Sequence, residues 1–119
     1  ANSSLGSGYR AMNKLLARDA GFTAVFCMSD IMAVGAMRAL TDAGLRVPQD
    51  ISLLGFDGIE LGQYAVPRLA TVSQPQQEIA DQSVALLLGQ IEKAAPPQTR
   101  VVSTGLLEGE SVASVTSDI

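Results

Sequence analysis

Three polar side chains close two apolar runs. Ser29 and Asp30 follow Thr23-Ala24-Val25-Phe26-Cys27-Met28, and Asp57 follows Ile51-Ser52-Leu53-Leu54-Gly55-Phe56. A serine hydroxyl both donates and accepts, so Ser29 suits contact with a polar ligand. Asp30 sits where a helix N-cap belongs, with a carboxylate placed to accept from exposed N–H groups and to complement the helix dipole. That structural role is preferred for Asp30 over direct ligand contact. Asp57 has two readings. It is either the first residue of an Asp57-Gly58 turn, or a carboxylate that accepts hydroxyl hydrogen bonds from a polyol or pairs with an amine.

The rest of the composition narrows the chemistry. Histidine is absent from the 119 residues, which excludes His-based acid–base catalysis, catalytic triads and His-ligated metal sites. A single cysteine, Cys27, forbids an internal disulfide and a Cys-rich zinc site, and its place in an apolar run makes it an inert core residue. Gly6-Ser7-Gly8 lacks the third spaced glycine of a dinucleotide loop and follows no readable strand. No catalytic residue, metal site or cofactor is therefore expected. With 8 Lys and Arg against 12 Asp and Glu, the net charge of −4 leaves no cationic face with which this chain could hold DNA. The 47% hydrophobic and 17% charged content excludes a disordered chain. No apolar run approaches the ~20 residues of a membrane span.

The elements that must carry these groups alternate. A helix is predicted over residues 5–19, with Ser7 as its cap and Gly21 beyond its end. A strand over 23–28 reads as buried on both faces, and a helix over 31–43 ends at Gly44. Ala33, Gly35, Ala36 and Ala39 permit that helix close packing against a sheet or a partner helix. A second strand covers 51–56, and a connector over 59–68 holds one helical turn. A short strand follows over 69–72. A third helix begins after Pro75, carries Ile79, Val84, Leu87, Leu88 and Ile91, and stops before Pro96-Pro97. The last strand falls in 100–108, and the small polar tail from Ser111 is expected to fray. Such alternation implies an α/β fold, a doubly wound and mostly parallel sheet with flanking helices. The carboxyl ends of adjacent parallel strands open on one edge, where α/β folds place ligands. Ser29, Asp30 and Asp57 are expected together at that edge.

Three long stretches carry a resemblance that covers most of the chain, from Gly8 to about Ser111. They are Thr23-Ala24-Val25-Phe26-Cys27-Met28-Ser29-Asp30-Ile31-Met32-Ala33-Val34-Gly35-Ala36, then Gly44-Leu45-Arg46-Val47-Pro48-Gln49-Asp50-Ile51-Ser52-Leu53-Leu54-Gly55-Phe56-Asp57, then Pro67-Arg68-Leu69-Ala70-Thr71-Val72-Ser73-Gln74-Pro75. In order and spacing the sequence is similar to the effector-binding region of the LacI/GalR family of bacterial repressors. The resemblance implies a periplasmic-binding-protein-like domain of two lobes with an effector cleft between them. Residues 1–119 would be the C-terminal part of that domain, with an amino-terminal lobe and a helix-turn-helix headpiece outside this chain.

The same resemblance implies roles for particular residues. Asp57 contacts the effector, and the position of Ser29 often does. Ser3 falls where an aromatic commonly stacks on the ligand, and Gln74 lies at the hinge-side return near the cleft. Val34, Arg38 and Ala65 face a partner subunit. Gly58, Ala70 and Gly109 depart from the residues usual at their places. The implied partners are a small-molecule effector, sugar or nucleoside/purine-like, and a second copy in a homodimer. DNA is reached only through the headpiece, with no membrane contact, in the cytoplasm. Effector binding would bias two lobe arrangements by binding them unequally. The competing reading from another class is a sugar-binding component of a transport system on the same fold. A third is a phosphoacceptor or hydrolase on a doubly wound sheet; the placement of Lys14 and Lys93 within predicted helices disfavours phosphotransfer at Asp30 and Asp57.

Overall fold

Ser4, not Ser7, starts the first helix. In the computed structural model, which describes residues 4–115, the Ser4 hydroxyl accepts from the Ser7 backbone N–H at 3.1 Å. The Ser7 hydroxyl accepts from the Ser4 N–H at 3.0 Å. Ser7 is thus the inner partner of a reciprocal capping box. From that cap run α1 (Leu5–Ala17), β1 (Ala24–Phe26), α2 (Asp30–Asp42), β2 (Ser52–Asp57) and the single-turn α3 (Glu60–Gln63). Then come β3 (Ala70–Ser73), α4 (Gln76–Glu92) and β4 (Gly105–Leu107). The α/β class and the order of elements are those expected from the sequence.

The chain forms two compact units. One comprises the residues up to Ser73 together with those from Leu106 onward; the other is Gln74–Gly105. The second unit is built around α4, none of whose residues is buried. The first unit holds the core. Its sheet has the order β1-β2-β3-β4, with β1 parallel to β2 and β2 parallel to β3. The register pairs Val25 with Leu53, Gly55 with Thr71, and Asp57 with Ser73.

On one side of β2, Leu53 and Leu69 join Met12, Ala33, Ala36, Met37, Ala39 and Leu40 in a single hydrophobic cluster. The small residues of α2 work as expected. A side chain at Gly35 would strike the Leu5 carbonyl of α1, and one at Gly8 would strike the Met32 backbone of α2, so the two helices approach backbone to backbone. Burial of this stripe, with its long-range contacts to β2, holds the helices on the sheet.

Three expectations are corrected. The first strand is shorter than residues 23–28 and is not buried on both faces; Phe26 is 57% exposed and Ala24 is also exposed. An apolar run reads the same at the edge of a sheet as at its centre, and β1 is an edge. Ala24, Phe26, Ser52, Leu54 and Ala70 line an open, largely apolar cavity of about 710 Å³. Met28, just beyond the strand, is a surface residue rather than packing. The last strand occupies only Gly105–Leu107 of the predicted 100–108.

The third correction concerns the tail. Ser111 does not fray: it is fully buried. Its hydroxyl accepts from the Ala70 N–H at 2.9 Å and donates to the Leu53 carbonyl. Its own carbonyl accepts from the Leu53 N–H at 2.8 Å. Two residues on, Ala113 donates its N–H to the Ser52 hydroxyl at 3.0 Å. The tail is stitched to β2 and β3 by groups that would otherwise be unpaired polar atoms in the core.

Candidate functional site at the carboxyl edge of the sheet

β1 and β2 are parallel, so their carboxyl ends meet on one edge, and the loops that leave them carry the polar residues singled out above. The helix cap falls to Ser29 instead of Asp30, while the structural role preferred for Asp30 takes another form. Ser29 is the N-cap of α2: its backbone is extended (φ −153°, ψ 157°) and its hydroxyl accepts from the Met32 N–H at 3.2 Å. Asp30 is already the first helical residue, so its carboxylate does not cap α2. A hydroxyl one residue earlier satisfies the helix end, which leaves the carboxylate to reach across the edge.

There it meets the turn that leaves β2. Asp30 is completely buried. Its Oδ2 accepts from the Gly58 N–H at 2.9 Å and from the Ile59 N–H at 2.8 Å. Its Oδ1 accepts from the Thr71 hydroxyl at 2.6 Å. Thr71, also fully buried, belongs to β3. One carboxylate therefore joins the β1–α2 loop, the β2–α3 turn and β3.

Asp57 ends β2 with φ at 122°, a left-handed region that an L side chain rarely occupies, and Gly58 follows at +80°. The Asp57-Gly58 turn read from the sequence is present, and Asp57 is half-buried at the carboxyl end of β2. Ser73 is its register partner across β3. The chemistry available is hydrogen bonding: a carboxylate and hydroxyls at the ends of parallel strands, suited to donors such as sugar hydroxyls or ring N–H groups.

The other expected site residues lie elsewhere. Gln74 is half-buried at the start of the second unit. Ser3 lies outside the described residues. Val34 is half-buried and Arg38 exposed on α2, where the Arg38 guanidinium pairs with Asp42 at 3.1 Å. Both residues line an open groove of about 360 Å³ with Leu5, Tyr9 and Arg10. Ala65 packs partly buried against the core cluster. The sequence reading missed Thr71, Ser73 and Ser111. None of the three left a local trace; the glycine inside β2, Gly55, marks the close approach of the Asp30 carboxylate and Leu69.

Neither the thiol nor the large cavity competes with this edge. Burial pushes the Cys27 thiol up to about 11, so it stays protonated and unreactive near neutrality. The 710 Å³ cavity on the sheet face is lined mainly by apolar side chains; its Ser52 hydroxyl is engaged with Ala113, and Glu108 is the one carboxylate along it. Among the described residues, no group of His, Cys, Asp and Glu could hold a metal ion, and no helix is long and apolar enough to cross a membrane.

Comparison with known proteins shows the family. Residues 1–112 match the periplasmic binding protein-like domain. The transcriptional repressor PurR of Yersinia enterocolitica is 45% identical over 108 residues, covering 90% of this chain and 32% of its own length. The chain thus spans about a third of that repressor. A structure of the Lac repressor bound to ONPG superposes with a TM-score of 0.87 at 31% identity, over 94% of this chain and 34% of the repressor. A LacI family regulator of Enterococcus faecalis, solved with bound ribose, gives 0.85 at 31% identity over 92% of this chain and 41% of its own. The chain belongs to the periplasmic binding protein-like domain family, with the sequence and fold of a LacI/GalR effector-binding domain.

Proposed function

We propose that this chain is the part of a transcriptional regulator that senses a small-molecule effector, with Asp57 as the principal ligand-contacting carboxylate. The observation that carries the reading is Asp57 itself. It stands at the carboxyl end of a parallel strand in a strained backbone conformation, of the kind that persists at ligand sites. Ser29 assists from the neighbouring loop, and Gln74 and Ser3 complete the effector contacts. The effector is a sugar or a nucleoside- or purine-like molecule, since both kinds offer the donors that a carboxylate accepts. A regulator is favoured over a transport component by the 45% identity to a repressor. Binding, not catalysis, is the activity.

In this reading, DNA contact belongs to a headpiece outside these 119 residues, consistent with the net charge of −4. The working unit is a homodimer in the cytoplasm, with Val34, Arg38 and Ala65 toward the partner. Effector binding alters DNA affinity by favouring one arrangement of the intact domain over another.

Calorimetry on the intact protein that carries this chain tests the proposal, with ribose, lactose, cellobiose, guanine and cytidine as titrants. Asp57→Ala is expected to cost about 1.5–3 kcal/mol of affinity, roughly tenfold to a hundredfold, with operator binding retained. Unchanged affinity in a folded Asp57→Ala protein would reduce Asp57 to a turn residue.

A further inference from the structure

We infer that Asp30 and Thr71 are positioning residues for Asp57: they touch no ligand, and they set the direction in which the effector-binding carboxylate points. The inference rests on the proposed ligand role of Asp57 and adds to it a device that holds that side chain in place.

The backbone at Asp57 lies at φ 122°, a conformation that survives only where its surroundings over-determine it. The groups that do so are visible. The peptide unit joining Asp57 to Gly58 is held through the Gly58 N–H, which donates to Asp30 Oδ2 at 2.9 Å. The next N–H, that of Ile59, donates to the same oxygen at 2.8 Å. With that plane fixed on one side and β2 paired to Ser73 on the other, the direction in which the Asp57 Cα–Cβ bond leaves the backbone is set.

Asp30 is itself immobilised. Its other oxygen accepts from the buried Thr71 hydroxyl at 2.6 Å, and its backbone is locked in the first turn of α2 behind the Ser29 cap. Space has been kept for it. A side chain on Gly55 of β2 would collide with Asp30 Oδ1 and with Leu69, so the strand carries only hydrogen where the carboxylate enters. A carboxylate serving only to stabilise the fold could bond any buried donor. Both of the amide donors this one takes follow Asp57 directly.

The test uses Asp30→Asn and Thr71→Val in the intact protein, alone and combined with Asp57→Ala. Asp30→Asn keeps the shape of the side chain and one oxygen, and Thr71→Val keeps the volume while leaving Oδ1 without its donor. The first readout needs no ligand: amide exchange at Gly58 and Ile59 should quicken by about tenfold or more in Asp30→Asn, while Ala39 and Leu40 of α2 stay as protected as before.

The second readout is calorimetric affinity for whichever of ribose, lactose, cellobiose, guanine and cytidine binds most tightly. Asp30→Asn is expected to weaken it by about tenfold with Asp57 present and not at all in the Asp57→Ala background. Thr71→Val should act in the same sense and more weakly. Unchanged exchange at Gly58 and Ile59, or an equal loss of affinity in both backgrounds, would overturn the inference. If Asp57→Ala weakens binding and Asp30→Asn does not, only the positioning role is lost. If Asp57→Ala itself has no effect, the effector role of Asp57 falls and the positioning role with it.

Discussion

The two turns that flank β2 are each fastened by an aspartate, and they could hardly be built more differently. Before the strand, Asp50 reaches back four residues: its Oδ2 accepts from the Arg46 N–H at 2.7 Å and from Arg46 Nε at 3.2 Å, and its Oδ1 from Arg46 Nη2 at 3.3 Å. This clamp is local and in water, with the Arg46 side chain 72% exposed. After the strand, the turn at Asp57 and Gly58 is held by Asp30, which comes from another loop and is wholly buried. The Asp50 carboxyl is held below its ordinary value, mainly by the hydrogen bonds from the Arg46 side chain, yet solvent competes for every bond it makes. At Asp30 no water replaces a lost acceptor without opening the core. The same side chain makes an exposed local contact at one end of a strand and a buried long-range clamp at the other.

The difference can be broken or sharpened by substitution. Asp30→Ala should have the largest effect, since it strands two backbone N–H groups and a buried hydroxyl; a loss of about 3 kcal/mol or more in denaturant unfolding is expected. A loss well under 1 kcal/mol would show that water rescues these donors and that the buried clamp resembles the exposed one. Ser111→Ala comes next. It removes one bond to the Ala70 N–H and one to the Leu53 carbonyl at a buried site, with an expected cost of about 1–3 kcal/mol by the same measurement. No change there would mean that the backbone bond to Leu53 and the Ala113–Ser52 bond hold the tail without the Ser111 hydroxyl.

Asp50→Asn should be smallest, leaving thermal melting close to wild type. Because the folded value of Asp50 is depressed, its contribution is present above the unfolded value and is lost as pH falls through the folded one. Melting followed from neutral pH into that acid range should therefore show a small decline in the wild type that Asp50→Asn lacks.

The same contrast explains what could be read in the sequence. The helix signals are local: the Ser-rich start of α1, the small residues of α2, and Pro75 and Pro96 around α4. Strand–helix alternation sufficed for the parallel α/β fold and for placing Asp57 beside the β1–α2 loop. What could not be read depended on partners distant in the chain. Asp30 looked like a cap because the local pattern Ser29-Asp30 offers two candidate caps, and only the position of Gly58, Ile59 and Thr71 tells which one is engaged elsewhere. Ser111 looked like the start of a loose tail because its partners, Leu53 and Ala70, lie 58 and 41 residues away. The first strand looked buried because an apolar run does not record whether it lies at an edge.

The central claim is that the effector meets this protein at the carboxyl edge of the sheet through Asp57. Its most direct test is a crystal structure of the intact protein with the titrant that binds most tightly. The account predicts the Asp57 carboxylate within about 3.2 Å of a ligand hydroxyl or ring N–H, with Asp30 still bonded to Gly58 and Ile59 and out of reach of the ligand. A ligand seated instead in the cavity beside Phe26 and Leu54, with Asp57 turned away, would contradict it.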